Sequence, residues 1–153
     1  MLTGMRKGEI VKIERSWIDG SVIHLPAEAA KTAVGRTVAM GVEARRLLGL
    51  ILSLGFSPCV WGINTLTLPG EFIKLKRRAG IRAITDSAGR ELQADLHFHD
   101  ARAYFCTWAA SPAEDGAPRL SPMELARQLG HSSTEMTMRY YRPDLRTLAD
   151  RLK

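Results

Sequence analysis

The chain has 153 residues, 45% of them hydrophobic and 25% charged, with only 7 prolines; this is the size and composition of one folded domain with a real core, and it excludes the disordered and fibrous classes. The 22 Lys and Arg against 16 Asp and Glu leave a formal charge of +6, which favours a polyanionic partner without saying which one. Cys59 and Cys106 are too few and too far apart for a disulfide framework or a cysteine zinc site and fit a reducing cytoplasm, while the N-terminus and the apolar run 47–56, interrupted by Gly49 and Gly55, predict no membrane segment.

Residues 5–14 predict a helix with Ile10 and Ile13 on its apolar edge. Ile18-Asp19-Gly20-Ser21-Val22-Ile23 predicts a turn feeding a strand, with 38–40 as its partner. Between the two strands, 26–36 is an Ala-rich loop or distorted hairpin arm that carries Lys31 and Gly35. Residues 42–54 predict a core helix, with Ala44, Leu47, Leu48, Ile51 and Leu54 at helical spacing and Gly55 to end it. A helix over 69–78 follows, Pro69 suiting its first turn and Gly80 its end, and 81–92 is turn-rich without an assigned element.

The pattern turns helical again over 99–110, and 111–119, rich in Pro, Ala, Gly and acids, predicts a surface loop. Ser121-Pro122-Met123-Glu124 then carries a capping box with proline at the first helical position, and Gly130 closes the helix after Leu125 and Leu129. Ser132-Ser133-Thr134-Glu135 repeats the start signal for a helix bearing Tyr140. Residues 143–153 predict a last short helix with Leu145, Leu148 and Leu152 on one side, docking on its own domain or on a neighbour. The fold class predicted is α+β and mainly helical, with a small antiparallel β-hairpin or sheet.

Several residues fit one chemistry. The planar guanidinium fork matches the non-bridging oxygens of a phosphodiester, and Arg6 and Arg102 both sit in helical segments outside the charged run of 74–78. His99 lies three residues before Arg102, so a helix puts both on one face, where an imidazole can accept or share a proton; its plainer reading is a capping histidine. His131 follows Gly130 at a break between helices, placed to donate to a phosphate oxygen or to serve as a satisfied loop histidine. A tyrosine hydroxyl titrates near 10 and needs a cationic surrounding and a proton acceptor before it can attack phosphorus. Lys31 taken alone reads as a solvated loop lysine.

Taken together, the segments TGMRKGE, KTAVGR, HDAR and LGHSSTEMTMRYY resemble the tyrosine recombinases, the phage-type integrases. The resemblance runs from Thr3 to about Pro143. It implies a catalytic-domain fold in which Tyr140, nine residues after His131, is the nucleophile and Arg6, Arg102, His99 and His131 surround the phosphate. Lys31 is then the general acid on a mobile hairpin and Glu9 a support that holds Arg6 or the hairpin in position, while Tyr141 packs as a half-buried aromatic or touches the DNA backbone. It further implies double-stranded DNA as partner, a 3′-phosphotyrosyl intermediate, no metal or nucleotide cofactor, and a homotetramer on paired DNA sites. The separate N-terminal DNA-clamping domain of the family is expected to be missing, so the chain reads as a single, partial catalytic domain. The alternatives are a recombinase remnant that grips DNA without recombining it, and a metal site on His97 and His99, which lacks a third and fourth ligand.

Overall fold

The computed structural model describes residues 2–55, 60–81, 84–85, 87–88, 91–93, 95–114 and 116–141. The predicted helix over 143–153 and Cys59 lie outside the described residues. Among the described residues no helix is long and apolar enough to cross a membrane.

The first helix is shorter than its apolar edge predicts. Only Lys7–Ile10 (α1) is helical, because Val11 and Ile13, 4% and 2% exposed, must both be buried two positions apart, a spacing an extended chain satisfies and a helix does not. The Val60 amide donates to the Ile13 carbonyl at 2.9 Å and Trp61 Nε1 donates to the Ile10 carbonyl at 2.5 Å, fastening this stretch to the chain after the next helix. A 3-10 turn, Arg15–Trp17, leads into an antiparallel meander of Ile18–Asp19 (β1), Val22–Leu25 (β2) and Arg36–Ala39 (β3). The segment around 38 pairs with β2 as the sequence predicts, in a register that sets Val22 opposite Ala39 and Ile23 opposite Val38, and the inward side of the alternation places Ile23, Leu25 and Val38 in the core.

The core helix is α2, Val42–Leu52, two residues shorter than predicted. Ala44 and Leu48 are buried, but Leu47 and Leu54 are 39% and 66% exposed, so the apolar stripe seen in the sequence is wider than the face that packs. The next helix, α3, spans Leu68–Arg78. Its Lys76 is buried and forms an ion pair with Asp95 at 2.6 Å, which ties α3 to the segment ahead of the following helix. The turn-rich region left without an element holds a second hairpin, Ile84–Thr85 (β4) against Glu91–Gln93 (β5), with a bulge that obscures strand alternation.

Helix α4, Asp100–Ala110, begins with His99 at its cap. The loop after it is ordered by Arg119, whose Nη1 donates to Ser111 Oγ at 2.7 Å and the Pro112 carbonyl at 2.8 Å while the guanidinium lies 5.1 Å from the Trp108 ring centre. Helix α5, Pro122–Leu129, has the predicted capping box and a left-handed Gly130 at its end. Helix α6 is only Glu135–Met138, so Tyr140 lies in the turn after it rather than on it. Two apolar clusters result. One joins the sheet to α2 through Met5, Ile13, Ile23, Leu25, Val38 and Leu48; the other joins α4 to α5 through Phe105, Cys106, Ala109, Leu125 and Leu129.

Candidate functional site

The N-terminal arm runs between these clusters. Gly4 has a φ of +68° and passes where a β-carbon would meet Phe105 Cδ1 at 2.5 Å and Leu129 Cδ2 at 2.8 Å, so only glycine brings the arm this close to α4 and α5. Its carbonyl then accepts a hydrogen bond from Arg102 Nη1. One residue further back, the Thr3 carbonyl accepts from Gln128 Nε2 at 3.0 Å, and the same Gln128 amide bonds both backbone groups of Ala39, at 2.9 Å each. Gln128 thus stitches arm, β3 and α5 together, a role with no signature in the sequence.

Arg6 caps α1. Its amide donates to Glu9 Oε2 at 2.9 Å, and its Nη1 donates to Glu9 Oε1 at 3.2 Å and the Leu129 carbonyl at 3.3 Å. Glu9, 2% exposed, also receives Nη1 and Nη2 of Arg36 at 3.1 and 2.8 Å. Burial acts to raise its pKa, but the Arg36 hydrogen bonds, the Arg6 amide and the two guanidinium charges outweigh it and bring the carboxyl down to about 2. Glu9 therefore holds two arginines at once, Arg6 at the cap of its own helix and Arg36 at the start of β3, where the KTAVGR segment ends. Arg36 Nε further donates to the Gln128 carbonyl at 3.2 Å.

Arg102 is 5% exposed on α4 and donates Nη2 to the Leu129 carbonyl at 3.0 Å and to His131 Nε2 at 3.1 Å. Burial, reinforced by the Arg6 charge, brings its pKa down to about 10, and it stays cationic at neutral pH. One peptide carbonyl, that of Leu129, accordingly accepts from both Arg6 and Arg102. The exposed His99 and the exposed Lys31 join these two arginines along one open cleft of about 960 Å3, which Phe72 and Phe98 also line.

His131 approaches from the other side of Arg102. Its Nδ1 lies 2.9 Å from Thr137 Oγ1. A guanidinium only donates, so Nε2 must be bare and the ring proton sits on Nδ1, toward Thr137. Burial first, then the charges of Arg102, Arg6 and Arg36, lower the His131 pKa to about 4, so the ring is neutral at pH 7. In this arrangement neither nitrogen offers a proton to the cleft.

Tyr140 is not turned into the cleft. Its ring packs on the α4–α5 cluster, its hydroxyl interacts with the buried Cys106 one helical turn beyond Arg102, and burial, then Cys106, raise its pKa while Arg102 and Arg139 act against the rise. Tyr141 is half-buried beside it and donates its hydroxyl to the Leu120 carbonyl at 2.5 Å, the packing role expected of it. Among the described residues no group of three or more His, Cys, Asp and Glu gathers to hold a metal. His97 instead lies 3.7 Å from Asp100 Oδ2, and its amide donates to the same oxygen at 2.6 Å, making Asp100 a local cap.

Comparison with known proteins joins this geometry to a family model, described as the phage integrase family, over residues 1–146. No curated protein matches the chain. Among solved structures, XerA recombinase superposes with a TM-score of 0.67 at 21% identity, covering 99% of this chain and 53% of that one. The Tn1549 transposon integrase in complex with circular intermediate DNA gives 0.73 at 19% identity, covering 99% and 57%. The catalytic domain of bacteriophage HP1 integrase gives 0.60 at 20%, covering 97% and 75%. The chain spans about half the length of the first two, and at these identities the likeness establishes the fold.

Proposed function

The chain belongs to the phage integrase family, and from that premise we propose that it is the catalytic domain of a tyrosine-type, site-specific DNA recombinase that breaks and rejoins double-stranded DNA through a 3′-phosphotyrosyl link to Tyr140. The observation that carries the reading is the meeting of Arg6, Lys31, His99 and Arg102 along one cleft, with Arg102 buried and held from three sides.

In this mechanism the scissile phosphate lies over the two arginines. Arg6 Nη1 is committed to Glu9 and Leu129, which leaves its Nε and Nη2 hydrogens for the non-bridging oxygens; Arg102 contributes its second Nη1 hydrogen and Nε. Both gain most as charge builds in the transition state. The Tyr140 hydroxyl forms the new bond to phosphorus and passes its proton to His99, while the bond to the 5′ oxygen breaks and Lys31 protonates the departing oxygen. A phosphate that takes over the Arg102 Nη2 hydrogen frees His131 Nε2 to take a proton from water, giving the imidazolium with Nδ1–H still on Thr137, and to donate that new hydrogen to the same oxygen. The 5′ hydroxyl of a second strand then displaces Tyr140 by the reverse steps, in a homotetramer on paired sites.

Tyr140 in its present place is a poor nucleophile, since burial holds its proton on, and attack requires the turn after α6 to swing the ring from Cys106 toward the arginines. Similar chains support DNA as the partner: the Tn1549 integrase is described in complex with circular intermediate DNA and XerH recombinase in complex with its difH substrate.

The test uses nicked suicide DNA substrates and a search for a denaturant-resistant protein–DNA adduct. The adduct forms with the unaltered chain and with Tyr141→Phe and disappears with Tyr140→Phe. DNA binding without any adduct supports a binding-only remnant, and an adduct that depends on added metal overturns the mechanism.

A further inference from the structure

Thr137 lies inside the segment that carries His131 and Tyr140 but is given no role by the motif, and it is a buried polar residue in direct contact with the site. It is 0% exposed, its Oγ1 sits 2.9 Å from His131 Nδ1, and the opposite ring nitrogen sits 3.1 Å from Arg102 Nη2. Its backbone is engaged as well: the Thr137 amide donates to the Thr134 carbonyl at 2.9 Å, and its carbonyl accepts the Tyr140 amide at 3.1 Å. One residue therefore touches both the histidine beside the arginine clamp and the turn that carries the nucleophile.

We propose that Thr137 is a positioning residue that fixes His131 as the Nδ1–H tautomer with its bare Nε2 toward Arg102, and thereby sets the clamp and the Tyr140 turn in one register. This inference rests on the recombinase reading of the site. Arg102 excludes a proton on Nε2, because two donors cannot face each other at hydrogen-bond distance. Thr137 Oγ1 receives the remaining proton and prevents the ring from flipping, which would present a carbon to the guanidinium. The charged groups facing the ring are Arg102 from α4, Arg6 from the N-terminal arm and Arg36 from β3, all cations, so a neutral ring with one defined tautomer is the arrangement they permit. Sequence reading passes over Thr137 because a threonine in a short helix has many plainer reasons to be there.

Ring 15N spectra of the full chain and the rate of adduct formation on a suicide substrate test this together, with Thr137→Val and Thr137→Ser. In the unaltered protein at pH 7, His131 shows one neutral tautomer with its proton on Nδ1. Thr137→Ser keeps that signature and an adduct rate within about threefold. Thr137→Val leaves Nδ1–H without a partner, brings in the second tautomer and slows adduct formation about tenfold, the factor for one lost hydrogen bond of about 1.4 kcal/mol. Should the valine variant fail to fold, the spectrum of the unaltered chain still decides: a proton found on Nε2 overturns the inference. It is equally overturned by a folded Thr137→Val with unchanged tautomer and unchanged rate. If the unaltered chain forms no adduct, the recombinase reading fails while the spectra continue to judge Thr137.

Discussion

Replacing Glu9 by Gln removes one negative charge from between two arginines while keeping the shape of the side chain. The carboxylate accepts from Arg36 Nη1 and Nη2 and from the amide and Nη1 of Arg6, at 2.8 to 3.2 Å. Glutamine can accept through one oxygen only, and its own amide hydrogens face a guanidinium. Bringing the carboxyl from its ordinary 4.5 down to about 2 corresponds to about 3 kcal/mol of folding free energy. That agrees with about 3 to 5 kcal/mol for leaving one side of a buried ion pair unmatched. The pKa is lowered in the fold, so the contribution is present in full above 4.5 and is lost as pH falls from there through about 2. His131, also depressed, makes both proteins less stable as pH falls from 6.5 toward 4, but this contribution is shared and cancels in the difference. Urea unfolding followed by tryptophan fluorescence, at neutral pH and at steps into acid, measures it. The expected gap between the two proteins is about 3 kcal/mol at pH 7 and closes in acid. A gap below about 1 kcal/mol, or one that stays constant down to pH 2.5, refutes the electrostatic account of Glu9.

Gly4→Ala forces a β-carbon onto the Phe105 ring at a left-handed backbone position; it costs about 2 kcal/mol or more and lowers the melting temperature by roughly 5 °C, checked by thermal unfolding. Gln128→Ala removes the bonds to Thr3 and Ala39 and costs about 2 to 3 kcal/mol, and hydrogen exchange at the Ala39 amide quickens before global unfolding does.

Local signals in the sequence translate directly into structure where the cause is local. The capping box at Ser121 and Glu124 and the left-handed Gly130 both follow from neighbours in the chain. Arg6, Lys31, His99 and Arg102 are found by motif spacing, and the cleft brings them together. What escapes the sequence is tertiary. Arg36 meets Glu9 across 27 positions and Gln128 meets Thr3 across 125, so no window of sequence contains either pair. Helix α1 is cut short because long-range burial of Val11 and Ile13 overrides the helical period. The resting place of Tyr140 depends on Cys106, which the sequence reading treats only as a free thiol. Spacing identifies the tyrosine but carries no information on which way its ring is turned.

The carbonyl of Leu129 links two guanidiniums that stand 96 positions apart in the chain, and it sits at the negative end of α5. Repulsion between the two cations is therefore moderated by the protein itself before any phosphate arrives, through this carbonyl and through the Glu9 carboxylate paired with Arg6. DNA affinity in such a site should weaken steeply with added salt, whereas the spacing of the two arginines should not move. Crystals or spectra taken at low and high ionic strength would show the same clamp, already at the separation in which it meets its anion.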